Sequence, residues 1–471
     1  MVFTGSNWSM IDQAKLEAAL GQFLPGQRWF AQQGRAPVRV RARRVEVLRS
    51  QPPALLRVEL EAEPVSDMSE EYQFLVGLRP AGSALVGLNG DPAVVVGEFD
   101  SPQGPCWAYD ALTDPELAIA LFEMLAPKSA GKVSAVRAMG AEQSHTSLVF
   151  DERLVLKVFR RLVRGRSLEL EMTKALTDVG FDRMAAMVAE WRTDEFDLGL
   201  IQRFLAGGAE GRALAVTSIR DLYGHGGDPA EAGGDFRAEA ERLGRTTAEM
   251  HVALGKAFGI ENGGPAAWAD LMDKQLERIS HPKLDKRAIA EVFDDLRKLP
   301  EAGPAIRTHG DYHLGQVVRA DAGWYILDFE GEPSRPPEER TLTSSPLKDV
   351  AGMLRSFNYA ALTVWGESAS AWPAPERADF AHFPSGDVRG NSLDLANAWV
   401  ERNRKAFLDG YVSFVHSSHS GRGLLPAEAA SFDLVLRAYE LDKAVYEVGY
   451  EMAHRPDWAW IPLSVLSEVS K

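Results

Sequence analysis

The hydrophobic period changes partway along the chain, and that change restricts the possible folds more than any other feature. Before about residue 205, apolar and polar residues alternate in VRVRARRVEVL, in ALLRVELEAEPVSDMSEEYQFLVGL and again from residue 133 onward. Alternation of this kind marks strands of half-exposed antiparallel sheets. After Phe236 almost every segment repeats with the helical period, apart from a β-rich island at 305–330. Strands first and helices later make an α+β chain with two lobes. The stretches GGAEGRALAV and YGHGGDPAEAGGDF, rich in glycine and acidic residues, are the natural boundary between the lobes.

Finer divisions follow from the same reading. A helix over 10–24 buries Leu16, Leu20 and Phe23 and ends at Pro25-Gly26. With the strands after it, it forms a small α+β unit over 1–100. A helix at 116–126 and a turn-rich junction at 127–132 lead into a β-rich lobe, so 101–205 is an intermediate segment plus that lobe. Residues 206–471 form the helical lobe, with two late helices, LDLANAWVERNRKAFLDGYVSFV and SFDLVLRAYELDKAVYEVGYEMA.

Composition excludes some functions. The 471 residues carry a formal net charge of −15, a field that repels nucleic acid and anionic membranes. There is no run of eighteen apolar residues, so no membrane-spanning helix is expected. Cys106 is the only cysteine, so no intrachain disulfide can form. A cytoplasmic protein, monomer or homodimer, is the expectation.

Three constellations carry chemistry. The first is HGDYHLGQ at 309–316, followed by ILDFEGEP at 326–333. Phosphoryl transfer needs one carboxylate to orient the attacking hydroxyl and take its proton, and oxygen ligands for magnesium on the phosphates. Asp311 is the candidate base. Gln316 and Asp328 are the candidate metal ligands, with Glu330 as a further one. The second is GAEQSHTS at 140–147, a loop of small residues between strands whose backbone can approach phosphate oxygens. Lys157 then stands alone in the apolar strand LVLKVF and must find a counter-charge. Glu171 is the preferred partner and Glu169 the alternative. The third is ELDKAVYEVGYE at 440–451 with Arg455 beyond it. Lys443, Tyr446, Glu447 and Tyr450 recur at helical spacing, a mixture of charge and flat rings that suits a sugar.

These motifs, with SPLKDVAGMLRSFNYAA at 345–361 and LPGQRWFA at 24–31, resemble those of the maltokinases, a branch of the aminoglycoside-phosphotransferase-like kinases. The resemblance spans essentially the whole chain. It implies a protein-kinase-like bilobal fold preceded by an N-terminal cap. It implies ATP and Mg2+, with Ser144, Thr146, Ser147, Lys157, Glu171, Gln202 and Phe204 around the nucleotide. It implies phosphorylation of maltose to maltose 1-phosphate, feeding α-glucan synthesis from trehalose-derived maltose, and trehalose synthase as a candidate partner. His309, Asp311, Lys443, Tyr446, Glu447, Tyr450, Glu451 and Arg455 would then contact the sugar. Two departures stand out. The phosphate loop has His145 where the family usually has Asn, and the helix after Lys157 starts Arg166-Ser167-Leu168 rather than Asn-Pro-Asp. Two other readings stay open. One is a kinase for a different sugar, chiefly glucosamine, whose kinases tend toward DFDGNP where this chain has DFEGEP. The other is a non-catalytic scaffold.

Overall fold

The structure, a computed structural model, describes residues 11–30, 38–63, 70–85, 87, 94–102, 104–140, 145–225, 227–231, 234–332, 335–368, 388–421 and 423–467. The chain divides into two compact units, Met1–Lys174 with Ala185–Ala206, and Ala175–Met184 with Gly207–Lys471.

The first unit is β-rich. Helix α1 (Gln13–Phe23) lies on strands β1 (Val40–Arg49), β2 (Ala54–Ala62), β3 (Glu70–Pro80), β4 (Val95–Ser101) and β5 (Gly104–Asp110), which pair antiparallel in the order β1-β2-β3-β5-β4. Alternation puts Leu56, Val58, Leu60, Phe74 and Val76 on the face covered by Leu16 and Leu20 of α1. The sheet therefore runs on to Asp110, past the boundary at residue 100 that periodicity suggests. Helix α2 (Pro115–Leu125) is capped by the Asp114 side chain. It packs Leu117, Leu121 and Phe122 against a second antiparallel sheet. That sheet holds β6 (Val136–Ala138), β7 (His145–Phe150), β8 (Leu154–Phe159), β10 (Met187–Arg192) and β11 (Asp197–Arg203) in the order β10-β11-β8-β7-β6. A two-residue strand, β9 (Arg161–Leu162), leaves the end of β8 and pairs with β3, so one stretch of chain serves both sheets. Helix α3 (Leu168–Asp178) follows β9.

The second unit is mainly helical. Helices α4 (Gly211–His225), α5 (Arg237–Phe258), α6 (Pro265–Arg278) and α7 (Lys286–Arg297) precede the short α8 (Pro337–Arg340). The long helices α9 (Leu347–Ser368), α10 (Val388–Ser417) and α11 (Ala429–His454) follow, and α12 (Trp460–Leu466) closes the described chain. Helices α5 and α10 pack closely because Gly244 has no side chain: a Cβ there would lie 2.0 Å from the Phe407 carbonyl oxygen. In the β island, β15 (Val317–Ala320) and β16 (Gly323–Ile326) form a three-stranded sheet with β12 (Ala209–Glu210) from earlier in the chain. A separate pair joins β13 (Glu261–Asn262) to β14 (Pro304–Ala305). Helix α9 is the centre of the unit, with Val350, Ala351, Leu354, Phe357 and Ala361 fully buried. The order of strands and helices gives the α+β class that the change of period predicts. No helix among the described residues is long and apolar enough to cross a membrane.

Candidate functional site

In the β-rich unit the lone strand lysine has its counter-charge. Lys157 lies on β8, a strand buried from end to end, and its Nζ donates to Glu169 Oε1 at 2.7 Å. Both side chains are buried, at 7% and 6% exposure. Glu169 is the partner, not the preferred Glu171. The two sit two positions apart in the first turn of α3, and residues at that spacing point to different sides of a helix. Glu171 is half-buried. β11 presses close on the lysine: a Cβ at Gly199 would fall 2.4 Å from the Lys157 carbonyl oxygen.

The other expected nucleotide residues are placed unevenly. Ser144 lies outside the described residues. Thr146 accepts a hydrogen bond at 2.9 Å from Arg160 Nε, so its hydroxyl is turned to that arginine. Ser147 is buried beside Lys157 in the β7–β8 ladder. Gln202 is half-buried on β11 between Met187 and Val155. Phe204 donates its backbone N–H to the Arg153 carbonyl at 2.8 Å, and the Arg137 guanidinium lies 5.3 Å from the centre of its ring.

In the helical unit the loop 309–316 is held from beneath by Asp349, in the first turn of α9. Its carboxylate accepts from the backbone N–H of His309 at 2.7 Å and of Gly310 at 2.9 Å. His251 Nε2 lies 3.1 Å from the same carboxylate, and the Tyr411 hydroxyl lies 2.7 Å from His251 Nδ1. Burial pushes the Asp349 carboxyl up, but the His251 contact and the loop N–H groups outweigh it and keep it below the usual carboxylate range. Gly310 takes φ 87°, a left-handed turn that suits glycine. His309 is buried at 1% exposure, and its Nε2 donates to the Leu327 carbonyl at 2.8 Å. It ties the loop to the segment leading into Asp328. The expectation that it contacts sugar is therefore corrected: its ring packs between Tyr312 and Phe329.

Asp311 projects from this loop toward α11. Lys443 Nζ donates to Asp311 Oδ1 and to a Glu332 oxygen, both at 3.1 Å. The Tyr446 hydroxyl donates to the other Glu332 oxygen at 2.7 Å. His313 Nε2 is 3.7 Å from Asp311 Oδ2. Burial alone would raise the Asp311 carboxyl, but the Lys443 charge and then His313 outweigh it and hold it well below the usual carboxylate range. Burial likewise works against the Lys443 ammonium, and Asp311 and Glu332 overcome it, so that lysine stays charged.

The remaining helix residues divide in two. Glu447 is buried and accepts from Arg355 Nη2 at 2.6 Å and Nε at 3.1 Å, so its carboxylate is committed to α9. Glu451 is buried too. It accepts from the Tyr359 hydroxyl at 3.2 Å and from Arg455 at 2.7 and 3.0 Å. Both were expected on sugar; instead Glu447 pairs with Arg355 of α9, and Glu451 is bonded to Tyr359 of α9 and to Arg455 one turn further along. Arg455 is spent on Glu451. Tyr450 is exposed and its ring stacks on His454 at 4.4 Å.

Gln316 Nε2 lies 3.3 Å from Asp328 Oδ2, and carboxylate oxygens of Asp328 and Glu330 lie within 4.8 Å of each other. Asp328 has φ 56°, a left-handed conformation that non-glycine residues adopt only when the surrounding structure imposes it. The amide just before β15 and the two carboxylates after β16 offer hard-oxygen donors that suit a divalent cation such as magnesium.

Sequence reasoning passed over Glu332, Asp349, Arg335 and Asp442. Arg335 donates to Gln275 Oε1 at 3.1 Å and to Asp442 at 3.4 Å, while Gln275 donates to Asp442 at 2.7 Å. Glu332 and Asp349 lie within DFEGEP and SPLKDVAGML, motifs already marked.

A carboxylate raised on an anchored loop, facing a lysine, a second carboxylate and a tyrosine, belongs to an enzyme that moves a group onto a hydroxyl. Residues 136–381 match the family model described as "Phosphotransferase enzyme family", more than half of the chain, and the chain belongs to that family. Residues 23–114 match the maltokinase N-terminal cap domain. Two curated relatives are a glucosamine kinase of Streptacidiphilus jiangxiensis, 26% identical over 73% of this chain and 75% of the relative, and a glucosamine kinase of Mycolicibacterium smegmatis, 24% identical over 70% and 78%. A solved glucosamine kinase in complex with glucosamine, ADP and inorganic phosphate superimposes with a TM-score of 0.66, at 21% identity over 99% of both chains. It shares the fold.

Proposed function

We propose that this phosphotransferase is a sugar kinase using ATP and magnesium, with maltose as its acceptor and maltose 1-phosphate as its product. The observation that carries the reading is Asp311, raised on its anchored loop and sharing Lys443 with Glu332 and Tyr446. Asp311 orients the attacking hydroxyl and receives its proton as the new oxygen–phosphorus bond forms and the bond to the ADP oxygen breaks. Lys157, held by Glu169, meets the nucleotide phosphates. Gln316, Asp328 and Glu330 would hold magnesium, which when bound neutralises phosphate charge. Lys443, Tyr446 and Glu332 supply donors and acceptors for sugar hydroxyls, and the Tyr446 ring a flat face for a pyranose. The DFEGEP motif supports maltose.

A second reading, glucosamine, is favoured by the names of the curated relatives. The carboxylates near Asp311 argue for a neutral sugar instead, because Asp311 and Glu332 share Lys443 and Asp442 faces Arg335. An ammonium on the acceptor would have to compete for them. ADP release measured with maltose, glucosamine, glucose and kanamycin decides. The highest kcat/KM is expected for maltose, and a higher value for glucosamine or kanamycin would overturn the assignment.

A further inference from the structure

Two cavities of the helical unit meet at a shared wall of Arg335, Lys348, Tyr439 and Asp442. One is bounded by Gly310 of the loop and by Glu332, Lys443 and Tyr446, and so adjoins the candidate base. The other runs along α6 past Trp268 and Met272. The charged groups lining or adjoining the first cavity differ in one respect. Asp442 is bonded to Gln275 and Arg335. Asp349 is bonded to the loop N–H groups and His251. Glu332 and Asp311 share Lys443. The Lys348 ammonium, among the described residues, makes no hydrogen bond or ion pair, although its side chain lines both cavities and is half-buried.

Three donors on a point charge, held partly out of water without an acceptor, are costly unless a ligand completes them. Burial, followed by the repulsion of Arg335, pulls the ammonium down to about 8, while Asp349 and Asp442 pull the other way. Near neutral pH it remains largely protonated. The unmatched charge on the wall is thus positive, in a chain whose net charge is −15.

We propose that Lys348 is a specificity-determining residue of the acceptor site, donating to the oxygens of a neutral sugar and turning away a sugar that carries an ammonium. This rests on the sugar-kinase reading above and adds to it the residue that separates neutral from amino sugars. The chemistry is a placed repulsion: one acceptor gains a donor, and the other meets a like charge.

Glucose and glucosamine differ at one position, hydroxyl against ammonium, and so isolate charge from shape. Both are to be assayed as substrates, or as competitive inhibitors of maltose turnover where their own turnover is slow. In the unaltered protein glucose should be preferred. In Lys348→Met, which keeps the length of the stem without the charge, the preference should fall by about tenfold or more, the scale of a removed like-charge clash. ATP KM should stay unchanged. Lys348→Arg should retain the preference. An unaltered protein that favours glucosamine overturns the proposal with no variant needed. So does a folded Lys348→Met, checked by its thermal midpoint, that turns over maltose with the glucose preference intact. Failure to phosphorylate any sugar would overturn the sugar-kinase reading itself, and this proposal with it, and is distinguished by the absence of maltose turnover.

Discussion

In the β-rich unit Lys157 and Glu169 form an ion pair with neither side chain more than 7% exposed. In the helical unit Lys443, 23% exposed, is shared between two carboxylates, Asp311 and Glu332. The first lysine has a fixed address. Removing either member takes a buried charge away from its ion-pair partner. The second can release one oxygen and keep the other, so the carboxylate it leaves becomes available without the lysine losing its place. A site that only holds phosphates is served by the first design. A base that must be freed when a hydroxyl arrives is served by the second.

The comparison can be broken in several ways. Asp311→Asn, which leaves Lys443 its bond to Glu332, should lower turnover by about 10²–10⁴-fold with ATP KM little changed, since proton acceptance alone contributes that much. Near-normal ADP release would remove Asp311 from its role. Next, Lys157→Met should cost about 3–5 kcal/mol of stability, the usual result of breaking a buried pair from one side, and should raise ATP KM steeply. Lys443→Met should cost clearly less, and should act on pH dependence instead. With the ammonium gone, burial governs Asp311 and its carboxyl rises from its depressed position. The acid limb of kcat/KM must then move to higher pH, because activity is lost as pH falls through a higher value. Equal denaturation midpoints for the two variants would erase the distinction.

A smaller effect is expected at Glu447. Glu447→Ala strips Arg355 of its buried partner, so the thermal midpoint should drop while the KM values for maltose and ATP change together or not at all. A selective rise in maltose KM would return Glu447 to the sugar site. The smallest effect belongs to Tyr446→Phe, which removes one hydrogen bond to Glu332 at a cost of about 1 kcal/mol. Maltose KM should rise several-fold while ATP KM holds, and inhibition kinetics with both substrates varied would show whether the two separate.

How much could be read beforehand depended on whether a residue's role was local. Lys157 stood out because a cation in a buried strand must be paired, and Asp311, Gln316 and Asp328 because their spacing is set by one loop and one hairpin. Glu447 was misread because helical spacing shows which residues share a stripe but not where the neighbour changes. Tyr446 and Glu447 are about 100° apart around the axis, and the edge between cleft and α9 falls between them. Glu169 displaced Glu171 for a related reason, since two positions turn about 200° around the axis. Asp349 was passed over because its partners are backbone N–H groups some forty positions away, which no local pattern records. Lys348 is harder still to see, since its distinction is the absence of a partner among the described residues, and only assembled neighbours reveal that.

The short strand β9 changes what counts as a part of this protein. The chain that carries Lys157 passes within a few residues into β3 of the other sheet, and Gln73 from that sheet donates to the carbonyls of Phe159 and Leu198 at 2.6 and 2.5 Å. Arg160 at the crossing bonds Asp110 at 2.6 Å and lies over the rings of Trp29 and Phe74. A gene trimmed to the catalytic match at 136–381 would cut through these bonds. It would take the Gln73 amide from two carbonyls and the Asp110 carboxylate from the Arg160 guanidinium, and bare the end of the lysine strand to other chains. The first hundred or so residues are, for purposes of expression, swapping or grafting, inseparable from the strand whose lysine they support.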